Sequence, residues 1–490
     1  LDKNRHGYQR YRATSGNDIW GSRKDWHDNY RPLQHELRML DVMTANRDRV
    51  IWNWARLEGR DPEGQLPAGV LTADDSNVPA PLQADEEMVA PYSSEFRPGS
   101  ATPHEEVTYL GGEEAIEEMV LAEGLSVNLF ASEEMFPELI NPRQMQVDSQ
   151  GRLWVSVWPT YPKWEPGEPM NDGILILEDS DGDGVADTSI RFATIPNPTG
   201  FEFWNGGVLV ASAPDLWYLK DTDGDGRADV KIQLLGNFDD AMDTHHTANS
   251  FVYGPDGYLY FSRGIFHMSN VETPWSEPVE SAVPAVFRFN PRTHHFEKFV
   301  DVIPNPHGIS IDRWGRQYAT DATSGRSWQL GLNRESGEYE ARQLLDQTVR
   351  PVTGSSVLSS GHLPEQFQDN FLISNVISFR GIKRYRLVEG EEGMWGEELE
   401  DLLYSRDPNF RPSDSVVGAD GALYVSAWHN PHIAHSIPNM RSELRDHTHG
   451  RIYRITANER PLQEPVAIHG EETGTLLSLL NHPVDGVRHR

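Results

Sequence analysis

Two nine-residue stretches, DSDGDGVAD and DTDGDGRAD, repeat one arrangement of carboxylates with Gly at the sixth position for a sharp turn. The first supplies Asp179, Asp181, Asp183 and Asp187, with Val185 at the seventh position; the second supplies Asp221, Asp223, Asp225 and Asp229, with Arg227 at the seventh. Hard oxygen donors at this spacing suit Ca²⁺. Position twelve is Ile190 or Ile232, where an EF-hand has a bidentate Glu, so the pattern predicts calcium loops in strand connections. A bare Asp/Gly turn is the alternative, in which four close carboxylates repel one another without a cation.

Histidines form the second chemical group. His245 and His246 stand just ahead of an apolar run that breaks at Gly-Pro-Asp-Gly, and His307, His429, His432, His435, His447 and His449 fall at similar points or near the end of the chain. An imidazole in such a loop can serve as a general base or can brace a carbonyl. The HNPHIAH spacing can also supply a transition-metal site, and Asp446 can hold a neighbouring imidazole.

The elements that must position these residues are short strands. From Leu125 onward, Val/Ile/Leu/Tyr/Trp runs alternate with Gly, Asp, Asn and Pro turns, and one pattern of strand, Asp/Gly turn and second strand recurs in NPRQMQVDSQGRLWVSVW, PTGFEFWNGGVLVAS, ANSFVYGPDGYLYFSRG, NPHGISIDRWGRQYATD, VTGSSVLSSGHLPEQFQDNFLISNV and RPSDSVVGADGALYVSAW. Six copies at blade-length spacing predict an all-β, six-bladed β-propeller over residues 125–457, with an irregular sandwich as the rival. Residues 1–105 read as an extension and linker with one helix near residues 33–57, and 106–124 as a short lead-in helix. Residues 458–490 read as a linker and the opening of HEAT-like helical repeats that continue past Arg490.

Composition narrows the partners. The 490 residues carry 75 acidic and 43 basic side chains, a formal charge of -32, which disfavours nucleic acid and anionic membrane surfaces. No apolar run is long enough to span a bilayer. Without Cys, these residues can form neither a disulfide nor a covalently attached c-type haem. Open calcium loops need extracellular calcium levels, so the expected location is secreted, periplasmic or extracellular.

HTANSFVYGPDGYLYFSRG, NPHGISIDRWGRQYATD, FRPSDSVVGADGALYVSAWHN and RDHTHGRIYRI together resemble the large secreted propeller proteins of planctomycetes and verrucomicrobia. Those are described as membrane-bound dehydrogenases or PVC-type haem-binding proteins. The resemblance spans residues 121–490 and implies HEAT-like repeats and a haem c beyond this chain. More remotely, the propeller is similar to soluble PQQ-dependent sugar dehydrogenases. That likeness implies His246, eight residues before Gly254, as general base, Asn305 and His307 as site residues, and Arg411 and Arg380 as cofactor contacts. Where that family has further cations this chain has Ser413, Pro304 and Phe379, which weakens binding of the tricarboxylate PQQ.

Two functions remain open on the sequence. One is an oxidoreductase acting on a sugar or small alcohol, with electrons passing to a quinone-type cofactor or a cytochrome c. The other is a calcium-stabilised propeller that binds glycan or a protein partner without catalysis, and a His-based hydrolase or lyase is a third.

Overall fold

The computed structural model describes residues 30–56, 73–80, 109–239, 244–265, 267–333, 335–346, 348–390, 393–430 and 445–490. His432, His435 and most of the polar stretch 61–103 lie outside them.

Six antiparallel sheets form the blades of a propeller, in agreement with the fold expected from the repeats. The innermost strands, one per blade in chain order, are Pro142–Val147, Pro198–Trp204, Asn249–Tyr253, Pro306–Ile311, Val352–Val357 and Pro412–Val417. Each touches the next, and the sixth touches the first, so the ring is closed around a central channel. Blade 6 takes its outer strand, Leu125–Ser132, from the N-terminal side, where it pairs with Arg451–Ala457. This pairing joins the two ends of the ring and leaves no open edge there. Met119–Leu121 adds an edge strand to blade 5, and the predicted lead-in helix is a single 3₁₀ turn, Glu114–Glu118.

The apolar cores lie between blades. Trp154, Ile174 and Ile176 of blade 1 pack against Phe201 and Val208 of blade 2, and Tyr318 of blade 4 against Val352 and Phe371 of blade 5. Period-two alternation makes this possible, because each strand sends successive side chains to opposite faces and so feeds two interfaces. In four of the six repeats an Asp fixes the first turn. Asp148 accepts from the Gln150 and Arg152 amides and from the Trp154 indole, and Asp312 accepts from the Trp314 and Arg316 amides and the Tyr318 hydroxyl. Asp256 with Tyr260 and Asp420 with Tyr424 repeat the device.

Antiparallel connectivity sorts the loops onto two faces. Connections entering each inner strand, and those between second and third strands, gather at one face, the mouth. The Asp turns and the connections between third and fourth strands gather at the opposite face. The C-terminal segment crosses that opposite face: His469 meets Ser149, the Asp485 amide donates to Ser359, and His489 lies 3.5 Å from Glu202 of the blade 2 inner strand. Its helices, Thr473–Leu479 and Asp485–His489, stand where a helical-repeat opening was expected; Leu479 packs with Ile468, Val484 and Val487 of the same segment, and the second helix meets the propeller through Asp485 and His489. Helix α1, Tyr30–Ala55, places Met39 against Gly167 in a mouth loop of blade 1.

Candidate functional site

Every inner strand begins with an irregularity in register at its mouth end. Such irregularities re-aim side chains. The second residue of each inner strand or its equivalent, Arg143, Thr199, Asn249, His307, Thr353 and Ser413, faces the channel, and together they form a polar ring with one member per blade. Next to the ring lies a chamber with His246, Asn305, Trp158 and Trp428 in its walls.

Arg143 and His307 belong to opposite blades, yet Nη2 of Arg143 donates to Nε2 of His307 at 3.3 Å. The contact places the proton of the neutral imidazole on Nδ1. Burial pushes His307 down to about 3, and the charges of Arg143 and His246 add to the effect, so the ring is neutral at physiological pH. Burial also lowers Arg143 to about 10, where it is still a cation, with its guanidinium 5.0 Å from the Trp428 ring centroid. Asp414, in the same wall, accepts from the Met145 amide at 2.8 Å. Burial raises its carboxyl to about 7, against the opposing pull of the Met145 and Ser415 amides and of Arg143.

His246 lies in a 3₁₀ turn, Thr244–His246, and is buried against the chamber. Asn305 holds the floor of the same corner, accepting from the Ile265 amide at 3.1 Å and donating to Thr323 at 3.2 Å. Gly264 fills the space between them, where a Cβ would stand 2.5 Å from Oδ1 of Asn305 and 3.1 Å from Cβ of His246. The structure therefore brings His246, Asn305 and His307 together.

It does not bring Arg411 and Arg380 to them. Neither lines the chamber. Arg411 donates to the Val376 carbonyl and Arg380 to the Arg406 carbonyl, and both face Asp407 at the blade 5–6 junction. Backbone carbonyls freed by the loop between second and third strands of blade 5 draw these guanidiniums away from the axis. Tested against PQQ, the chamber offers one guanidinium for three carboxylates, with Asp414 beside it. The described residues do not fit that cofactor.

His429 also lies at this junction, fully buried, with Nε2 3.9 Å from Asp407. His447 braces the Pro159 carbonyl at 2.6 Å, the structural role open to it. Asp446 holds His449 at 2.6 Å and raises its affinity for a proton, while the ring stacks on Tyr109 at 4.1 Å.

The Asp loops lie on the face opposite the mouth, between Gly173–Glu178 and Thr188–Thr194 in blade 1 and between Asp215–Lys220 and Val230–Leu235 in blade 2. Three carboxylates converge in each: Asp179, Asp181 and Asp187, and Asp221, Asp223 and Asp225, with ligand atoms within 4.8 Å of one another. Asp183 and Asp229 stand outside these triads; Asp183 accepts from the Val185 amide, and Asp229 from Thr222. Gly184 and Gly226 have φ of 90° and 84°, which only the absence of a side chain makes easy. Each loop also staples its blade to the preceding one, through Ala186 N to Phe130 O and Ala228 N to Phe192 O, both 2.8 Å.

A family model described as a domain of unknown function, DUF7133, matches residues 111–349 and 338–459. The chain belongs to the DUF7133 family. No curated protein matches it. Among solved structures, a Trichoderma reesei carbohydrate-active enzyme of family AA12 shares 13% identity over 73% of this chain and 100% of its own, with TM-score 0.47. The PQQ domain of pyranose dehydrogenase from Coprinopsis cinerea shares 14% over 69% and 97%, with TM-score 0.44. The soluble aldose sugar dehydrogenase of Escherichia coli shares 11% over 68% and 100%, with TM-score 0.42.

Arg143, Asp414, Trp158 and Trp428 were not among the residues expected from sequence. A signal for Arg143 was present: it holds the position in the first repeat that His307 holds in the fourth.

Proposed function

We propose that the DUF7133 propeller binds a sugar or other small alcohol in the axial chamber and that His246 takes the proton of a substrate hydroxyl, the proton-transfer part of an alcohol oxidation. The observation that carries this reading is the convergence of His246 and neutral His307 from different blades on one polar chamber. Thr199, Asn249, Thr353 and Ser413 supply hydroxyl and amide partners for a polyol, and the Trp158 and Trp428 rings supply apolar faces. Asn305 positions the His246 corner. Completing the oxidation would require a diffusible two-electron acceptor of the quinone class to take the hydride from the carbinol carbon, with a cytochrome c outside this chain as the partner that would receive its electrons. Ca²⁺ held by the two Asp loops would stabilise the junctions of blades 6, 1 and 2, and a need for calcium at extracellular levels supports a periplasmic or extracellular location as part of this reading.

The lack of a cation pair in the chamber favours a second reading, a calcium-stabilised propeller that binds glycan or a partner protein without chemistry. The test is turnover of a panel of sugars and polyols by the full chain with Ca²⁺, added PQQ or ubiquinone analogues, and an artificial electron acceptor. Turnover that disappears in His246→Ala supports the oxidoreductase. Saturable sugar binding with no turnover under any acceptor establishes the second reading.

A further inference from the structure

Several buried hydrogen-bond donors on residues around the chamber lack an acceptor among the described residues. Nε of Arg143, Nε1 of Trp158 and Nε1 of Trp428 are buried without a partner, and Nδ1 of His307, which carries the proton of the neutral ring, is also unpartnered among the described residues. Both tryptophans are almost wholly enclosed, at 1% and 2% exposure. Buried donors without acceptors are costly, and four on residues around one chamber point to a missing group that only accepts. An ionised carboxylate is such a group.

Charge favours the same ligand. Arg143 is the one cation whose side chain lines the chamber among the described residues apart from the histidines; its guanidinium lies 5.0 Å from the Trp428 ring centroid and reaches His307 across the channel. A planar fork held in this way suits a carboxylate. One guanidinium matches the charge of one carboxylate, and Asp414 nearby adds no positive charge, which sets a monocarboxylate apart from a phosphate dianion or a tricarboxylate.

We infer that the chamber selects an acidic sugar, an aldonate or uronate, whose carboxylate is held by Arg143 with the indole donors of Trp158 and Trp428 beside it. This rests on the reading of the chamber as a sugar site and names its substrate class.

Calorimetric titration of the calcium-loaded full chain with glucose, glucuronate and glucose 6-phosphate tests it. Glucuronate is expected to bind about tenfold or more tightly than glucose, the scale of a charge-assisted contact, and glucose 6-phosphate no better than glucose. Arg143→Met should remove the glucuronate advantage, so that glucuronate and glucose bind alike whatever the change in glucose affinity itself, and Arg143→Lys should restore part of it; unfolding curves of both variants check their folding. Equal binding of glucose and glucuronate, a stronger preference for the phosphate, or a glucuronate preference that survives in folded Arg143→Met would overturn the inference but leave the sugar site standing. Absence of binding by all three sugars would remove both.

Discussion

Nη2 of Arg143 reaches Nε2 of His307 across the propeller axis, 3.3 Å away and 164 residues along the chain. Blade 1 thereby holds the imidazole of blade 4 in one tautomer, and the Arg143 charge adds to burial in keeping the ring neutral.

His307 makes the fold acid-sensitive. Its folded value, about 3, lies below the unfolded value of 6.5, so the stability linked to it is present above pH 6.5 and is lost as pH falls from there toward 3. Over that window the loss approaches about 1.4 kcal/mol per pH unit. His307→Gln should show a flatter fall in denaturation midpoint between pH 6.5 and 4 than the parent protein, and parallel curves would show that the ring is not buried in the neutral form.

Asp414 works in the opposite sense. Its folded value, about 7, lies above the unfolded 3.8, so ionisation in the fold is unfavourable and stability falls as pH rises through that interval. The stability difference between Asp414→Asn and the parent should therefore move in favour of the variant from pH 4 to 7 and level off above. Urea denaturation at several pH values measures this, and a difference independent of pH would refute the assignment.

If His246 is the proton acceptor, His246→Ala should reduce turnover by roughly 10² to 10⁴ with little change in stability, whereas His245→Ala should be mild. Equal losses in the two variants, or a His246 variant that is merely less stable, would make His246 a brace for its loop.

Gly264→Ala probes the same corner by crowding. A methyl 2.5 Å from Oδ1 of Asn305 must displace either that amide or the His246 turn, at a cost of about 1–3 kcal/mol. The variant should be less stable and bind sugar more weakly, while Gly474→Ala, at an open position, should do neither.

Calcium removal should be felt at the blade junctions. At a calcium concentration about 100 times the dissociation constant, each site adds roughly 2.7 kcal/mol. EDTA should lower the melting temperature, and Asp179→Ala and Asp221→Ala should each remove part of the calcium response. An unchanged melting temperature in EDTA, with no calcium found by elemental analysis, would leave the loops as metal-free turns.

The propeller was legible because each blade is written locally: one strand, one Asp turn and one second strand recur, and the Asp that caps its own turn is a neighbour in sequence of the amides it accepts from. The Asp loops were legible for the same reason, being set by short spacings, whereas His246 and Asn305, distant in sequence, were expected only through a family resemblance. The six-membered polar ring was written in the repeats too, since each member occupies one register, but its meaning depended on closure, which turns equal registers into neighbours around an axis. Only the tertiary structure decided that Arg143 faces His307, that Asp414 and two indoles share their chamber, and that Arg411 and Arg380 do not. Those guanidiniums follow the carbonyls of Val376 and Arg406, which a folded loop of blade 5 and its return to blade 6 put within reach. A long side chain goes where burial leaves an acceptor, and residues 26 to 35 positions away supplied it here, beyond the reach of any local pattern.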